Sequence, residues 1–294
     1  MQFFMSLLIS GLVFGSIYAL IALGFVLIYK ATGIINFAQG EMVMFGAYLC
    51  IGFSVDLGWP IFIAIPLAIG GSLLLGLLLE RVILRPMIGQ EVISIIIITL
   101  GIGFMLRAVV MFIWGVDTLP FPQVLSEEPI MLGTIPIAPT YIGSIVVCAA
   151  ILIAFSLLFK YTPMGVAMRA TANDQQAAQS MGVSVKWVFA AAWAIGGVVA
   201  ALGGVLLGSI NGVNAYISVI GLKVFPVIIV GGLDSLLGAV LGGLIIGVLE
   251  NLFGGYLDPV FGGGVKAVAP FVILLVILLV RPYGLFGSRG IERV

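Results

Sequence analysis

Three short polar segments interrupt an otherwise apolar chain, and they hold the side chains with most capacity to bind or gate. The first runs over residues 32–42 and gathers Asn36, Gln39 and Glu41 at the head of an apolar stretch. A carboxylate at mid-membrane depth costs about 2.5–3.5 kcal/mol and much less near the interface, so its placement carries information. One reading is a helix start, with Asn36 as N-cap and Gln39 three residues on at capping-box spacing. The other has Gln39 and Glu41 facing a bundle interior and shaping a pathway or gate, and the two are compatible. The second segment, 160–182, carries Arg169, Asp174, Gln176, Ala177, Ala178 and Gly182. Asn173 with Gln176 repeats the capping spacing and Gly182 is a natural stop, which predicts a short polar helix between them. Ala177, Ala178 and Met181 give that helix a small apolar stripe suited to a groove on a soluble protein, against the plainer reading of a connecting loop. The third segment holds Asn211 and Asn214 and leads toward Gly231-Gly232 and Asp234. Unwound backbone there would turn amide N–H groups toward the carboxylate of a zwitterionic solute; a bent helix kept for packing is the alternative.

The surrounding composition decides where these segments sit. Of 294 residues, 62% are hydrophobic and 8% charged, against about 25% charged in an average soluble domain. The chain is therefore an all-α polytopic membrane protein. Twelve Lys and Arg balance twelve Asp and Glu with no basic or acidic tail, which argues against nucleic acid as a partner. Histidine is absent, and Cys50 and Cys148 each stand alone in apolar runs, which leaves no material for a His/Cys metal site or a disulfide framework. An enzyme would need a nucleophile with its base, and an ion-coupled secondary transporter would need paired ionisable residues deep in helices; neither constellation stands out.

About 20 apolar residues cross a hydrocarbon core, and that length finds spans at 4–29, 34–52, 60–80, 92–114, 140–159, 187–208, 236–253 and 267–280. The eight are joined by a shorter stretch, 217–230, bracketed by Gly221, Pro226 and Gly231, which reads as a broken or re-entrant segment. The first span is a retained helix rather than a signal peptide, since no Lys or Arg precedes it. Cationic loops stay cytoplasmic, so Arg81 and Arg85, then Lys160, Arg169 and Lys186, then Arg281, Arg289 and Arg293 mark the inner side. The loop 115–139, with Asp117, Glu127 and Glu128, and the turn at Asp56 face outward, and counting back places Met1 outside. Glu80, Arg107, Lys223 and Glu250 lie near span ends and read as side chains reaching for the interface. Glycines four apart, such as Gly11 with Gly15 and Gly243 with Gly247, predict close helix packing and no chemistry.

With these residues in hand, the chain resembles the permease subunit of branched-chain amino acid ABC importers, a family that includes urea and amide permeases. The resemblance covers nearly the whole chain. Its most specific part lies at Tyr18-Ala19-Leu20, Gly24, Gly33 to Ala38, Gly40-Glu41 and Gly46-Ala47-Tyr48, followed by 169–182 and by Gly231-Gly232 with Gly238 and Gly242-Gly243. Gln39 stands where many members carry His. Gln176-Ala177-Ala178 with Gly182 partly matches the wider coupling pattern of Glu-Ala-Ala, three residues, then Gly, without its Glu or downstream Pro. The resemblance implies one permease domain over 1–294 with a cytoplasmic coupling loop at 160–186. It implies a second permease subunit, two cytoplasmic ATPases, a periplasmic solute-binding protein and a place in the bacterial inner membrane, where Arg281, Arg289 and Arg293 put the C-terminus inside. Asn36, Gln39, Glu41, Asn211 and Asn214 become candidates for the solute pathway; Arg169, Asp174, Gln176, Ala177, Ala178 and Gly182 become candidates for ATPase coupling. No Gly-Lys dipeptide occurs, so a Walker loop is impossible here, and ATP with Mg would belong to the partners. The chain itself needs no cofactor. Leucine-like amino acids are the expected solute, with urea or short amides as the alternative.

Overall fold

Apolar runs in lipid leave the backbone no water to bond to, so each run must satisfy its own N–H and C=O groups as helix. A computed structural model of the chain describes residues 1–87, 90–122, 124–125, 128–132, 135–282 and 284–287. Three of the orienting residues, Glu127, Arg289 and Arg293, lie outside the described residues. Eleven α-helices occur among the described residues: α1 (Gln2–Thr32), α2 (Gln39–Ile51), α3 (Ile61–Leu79), α4 (Val92–Trp114), α5 (Pro139–Tyr161), α6 (Pro163–Asn173), α7 (Gln175–Ser180), α8 (Val185–Asn211), α9 (Ile220–Gly231), α10 (Leu236–Phe261) and α11 (Val265–Val280). A hairpin of β1 (Ile130–Leu132) and antiparallel β2 (Ile135–Ile137) precedes α5. Among the described residues, six segments are long and apolar enough to cross a membrane: Gln2–Thr32, Ile61–Met87, Val92–Trp114, Pro139–Tyr161, Val185–Asn211 and Leu236–Phe261. Ala215–Gly231 and Val265–Val280 are apolar but shorter.

The stretch expected to span at 34–52 is the main departure. Gly33 takes a left-handed φ of 71° and ends α1, and helix resumes only at Gln39. The 13 residues of α2 run straight on into a π-helical turn over the 5 residues Gly52–Asp56, and together they rise about 25 Å, a little short of the roughly 30 Å of hydrocarbon. Its non-helical approach is tolerated because protein covers it, Asn36 and Ala38 being fully buried. The stretch 217–230 also differs from its expected form. A 3-10 turn over Ala215–Val219 passes into α9, and Gly221 and Pro226 lie inside that helix instead of breaking it. The break comes later, at Gly232, whose φ is 101°, before Ser235 caps α10.

The chain forms two compact units. One comprises Met1–Val26, Leu125–Ala149 and Leu222–Val294. Within it α1 and α10 meet through glycine: a Cβ on Gly11 would lie 2.7 Å from the Cα of Val248, and one on Gly15 2.9 Å from the carbonyl oxygen of Gly243. Small residues let backbones approach where lipid and side chain are equally apolar. The other unit comprises Leu27–Val124 and Ala150–Gly221. There α2 packs against α3, α4, α8 and the 3-10 turn, and most of its residues are buried. Gly46 meets the Cα of Ala201, and Gly204 meets the carbonyl of Val43, so α2 and α8 touch backbone to backbone.

Candidate functional site

All the residues that follow, down to Gly182, belong to the unit centred on α2. The approach to α2 is built from side-chain amides. Asn36 Oδ1 accepts the N–H of Ala38 at 3.0 Å, and Asn36 Nδ2 donates to Gln39 Oε1 at 3.0 Å. Gln39 Nε2 donates in turn to the Gly196 carbonyl of α8 at 3.2 Å. Asn36 thus makes an Asx-type turn and is not the N-cap; that position falls to Ala38, which offers no side-chain bond. Both amides are fully buried and engaged through oxygen and nitrogen, so they brace the start of α2.

Glu41 lies one residue beyond Gly40, and its environment is different. Arg107 Nη2, on α4, donates to Glu41 Oε1 at 3.0 Å and to Ser218 Oγ at 2.6 Å. The Ser218 hydroxyl donates onward to the Ala215 carbonyl at 2.7 Å. Glu41 keeps 14% of its side chain exposed and Arg107 36%, so this ion pair is partly open. Arg107 Nε is buried without a hydrogen-bond partner. Two glycines make room for the pair. A Cβ on Gly103 would lie 3.1 Å from the Glu41 carboxylate, and one on Gly40 would lie 2.9 Å from the Cα of Gly221. Arg107, read from sequence as an interfacial side chain, is therefore the charge partner of Glu41 within its unit. A lone cation in α4 and a lone carboxylate in α2 were the available signal, since neither has a partner in its own helix.

The third polar segment reaches this pair through Ser218. Asn214 caps the 3-10 turn by accepting the Tyr216 N–H at 3.0 Å and donates to Thr118 Oγ1 at 3.2 Å. Leu119 and Val213 exchange two backbone bonds beside it, each 2.8 Å. Asn211 is the exposed last residue of α8. The structure gathers Glu41, Arg107 and Ser218, and it leaves Asn211, at the end of α8, and Asn214, at the head of the 3-10 turn, outside that cluster.

The link from α5 to α8 holds two helices. Thr162 caps α6 by accepting the Gly165 N–H at 3.2 Å, with Pro163 at the first helical position. Arg169 donates to the Phe159 carbonyl and stacks over the Phe159 ring, so it closes the end of α5. Asp174, not Asn173, caps α7: its Oδ1 accepts the N–H of Gln176 at 2.8 Å and of Ala177 at 3.0 Å, while Asn173 ends α6. Gly182, at φ 87°, closes α7 in a Schellman motif, with Val183 N–H on the Ala178 carbonyl and Gly182 N–H on Gln179. Ala178 is 4% exposed and faces its own chain, which corrects its expected place on a docking face; Gln176, Ala177 and Met181 are the exposed members. Gly182→Ala is expected to loosen α7 by about 1 kcal/mol, because a Cβ strains the left-handed backbone. Amide exchange over 175–180 should quicken while the global unfolding midpoint stays put, and unchanged exchange would count against the motif.

Residues 7–281 match the family described as branched-chain amino acid transport system / permease component. The chain belongs to that family. The permease is 31% identical to the high-affinity branched-chain amino acid transport system permease protein LivH of Escherichia coli K12, covering 99% of this chain and 98% of LivH. Against the corresponding protein BraD of Pseudomonas aeruginosa it is 33% identical, with 98% and 97% covered. Against the probable LivH of Methanocaldococcus jannaschii it is 29% identical, with 95% and 91% covered. Among solved structures, a chain of PsaBC from Streptococcus pneumoniae in complex with Fab superposes with a TM-score of 0.53 at 15% identity, over 93% of this chain and 91% of that one, a likeness of fold.

The permease carries a second charged group, in its other unit. Lys223 Nζ on α9 donates to Glu250 Oε1 on α10 at 2.6 Å, and the Glu250 side chain is fully buried. Tyr18 of α1 lies beside the same carboxylate, and Lys266 Nζ of α11 donates to Asn251 Oδ1 at 3.1 Å. Arg85 likewise grips Glu80 through Nε and Nη2 at 3.0 and 2.9 Å. Glu80, Arg107, Lys223 and Glu250 are thus all paired, not lone interfacial charges, because a charge buried among apolar helices is costly without a partner.

Proposed function

We propose that this permease forms the membrane pathway of an ABC importer for branched-chain amino acids in the bacterial inner membrane. It joins a second permease subunit, receives solute from a periplasmic solute-binding protein and is driven by two cytoplasmic ATPase subunits that hold ATP and Mg. Family membership and the six long apolar helices support the membrane role. The lack of a Gly-Lys dipeptide supports an external energy source. The loop at 160–186 and the C-terminus lie on the cytoplasmic side and Met1 on the periplasmic side, a reading supported by Lys and Arg in the short loops. One observation carries the pathway: the partly open Glu41–Arg107 pair with Ser218, an opposite-charge pair matched to the two charges of an amino acid. Movement of the ATPases against α7 shifts the permease between outward- and inward-open states.

Leucine uptake by vesicles holding the full importer tests the solute, with urea as competitor; uptake of urea and none of leucine would redirect the reading to the amide branch. Ala177→Glu tests the coupling. Ala177 is exposed on α7, so the fold should survive, while a bulky charge at a central contact costs about 2 kcal/mol or more. ATPase co-purification should fall roughly thirtyfold. Wild-type co-purification and uptake would make this link a connector only.

A further inference from the structure

The end of α3 and the start of α8 enclose a cavity of about 340 Å3 that the transport reading does not use. Its lining includes Arg81, Arg85, Lys186, Ser184, Trp187 and Leu77. Glu80 is the one carboxylate there, its side chain 2% exposed and both oxygens held by Arg85. Three cations against one carboxylate leave a surplus of two positive charges. Arg85 spends two of its five N–H donors on Glu80 and keeps three for another acceptor. Ser184 adds an exposed hydroxyl. The cavity also sits where two membrane-length segments end, Ile61–Met87 and Val185–Asn211. Trp187 is 73% exposed, the aromatic type favoured at a membrane interface. Leu74, Leu78 and Val82 follow one another at four-residue spacing, each more than half exposed, a strip able to carry an acyl chain.

We propose that this cavity binds the phosphodiester of an anionic phospholipid, with Arg81, Arg85 and Lys186 on the phosphate and Trp187 at the glycerol level. Basic pockets between membrane helices suit such head groups. An acidic protein surface would use the cations and leave Trp187 and the leucine strip without a role.

Native mass spectrometry of the full-length protein, released from bilayers of equal phosphatidylglycerol and phosphatidylcholine, tests this. The wild type should retain phosphatidylglycerol selectively. Each cation near an anionic lipid surface contributes about fivefold, so Arg81→Gln with Lys186→Gln should retain roughly twenty-five times less, and Lys186→Arg should retain it as wild type. Brominated phosphatidylglycerol should quench tryptophan fluorescence, and Trp187→Phe should remove that component. If the double variant does not fold, the single variants, each down about fivefold, and the quenching decide. Equal retention of both lipids, wild-type retention in the charge variants or quenching unaffected by Trp187→Phe would overturn the site. Displacement by millimolar inorganic phosphate would assign it to a free anion, and loss of a soluble partner with lipid retention intact would assign it to a protein surface; either defeats the lipid proposal.

Discussion

Lys223→Met is expected to destabilise the protein by about 3–5 kcal/mol, the usual cost of stranding one member of a buried ion pair. Glu250 is fully buried, its Oε1 rests on Lys223 and its Oε2 has no hydrogen-bond partner. Lys266, the other ammonium in this group, is engaged by Asn251 and sits over the Phe14 ring. Removing Lys223 therefore leaves a carboxylate among apolar helices with, among the described residues, the Tyr18 hydroxyl as its remaining hydrogen-bond partner and no cation bonded to it. The thermal midpoint in detergent should drop on the order of 10 °C, given a few degrees per kcal/mol in chains of this size. Lys223→Met with Glu250→Gln should recover most of the loss, since a neutral pair carries no desolvated charge. A single variant as stable as wild type, or a double variant worse than the single, would show that the pair is not what steadies α9 against α10.

That pair also marks where the chain's text is readable. Six long helices were legible because apolar runs in a bilayer have no alternative to helix. Composition hid the length of α2. The apolar run continues through Ile34 and Ile35, but Gly33 takes a left-handed turn and Asn36 bonds the Ala38 N–H, so helix waits until Gln39. Gly221 and Pro226 looked like breakers at 217–230 and are helical; the glycine serves packing instead, since a Cβ there would lie 2.8 Å from the Cα of Gly40. Burial of Asn36 and Gln39 followed from the cost of amides in hydrocarbon. Which charge meets which did not follow. Glu41 and Arg107 are 66 residues apart, and Lys223 and Glu250 are 27 apart, so only tertiary packing pairs them. Ala178 departs from its expected place for a related reason: Ala177 and Ala178 are adjacent in a six-residue helix, and which of the two turns to its own chain is set by tertiary packing and the Schellman turn that follows.

Arg107→Gln is expected to lower leucine uptake about a hundredfold, with ATP hydrolysis by the assembled importer largely retained. Truncating one partner of a hydrogen-bonded charge pair costs about 2–5 kcal/mol where the pair is desolvated, and a hundredfold corresponds to about 2.8 kcal/mol. Stability should change less than at Lys223, because Glu41 and Arg107 keep 14% and 36% of their side chains exposed. The discriminating variant is the exchange of charges, Glu41→Arg with Arg107→Glu. If the pair only ties α2 to α4, the exchange restores both the thermal midpoint and uptake. If the pair meets the solute, the midpoint returns while uptake does not, because reversed charges present the wrong group to each end of the amino acid. Uptake kinetics in vesicles separate the two, and full recovery of uptake in the exchanged variant would remove Glu41 and Arg107 from the pathway and leave them as a brace between helices.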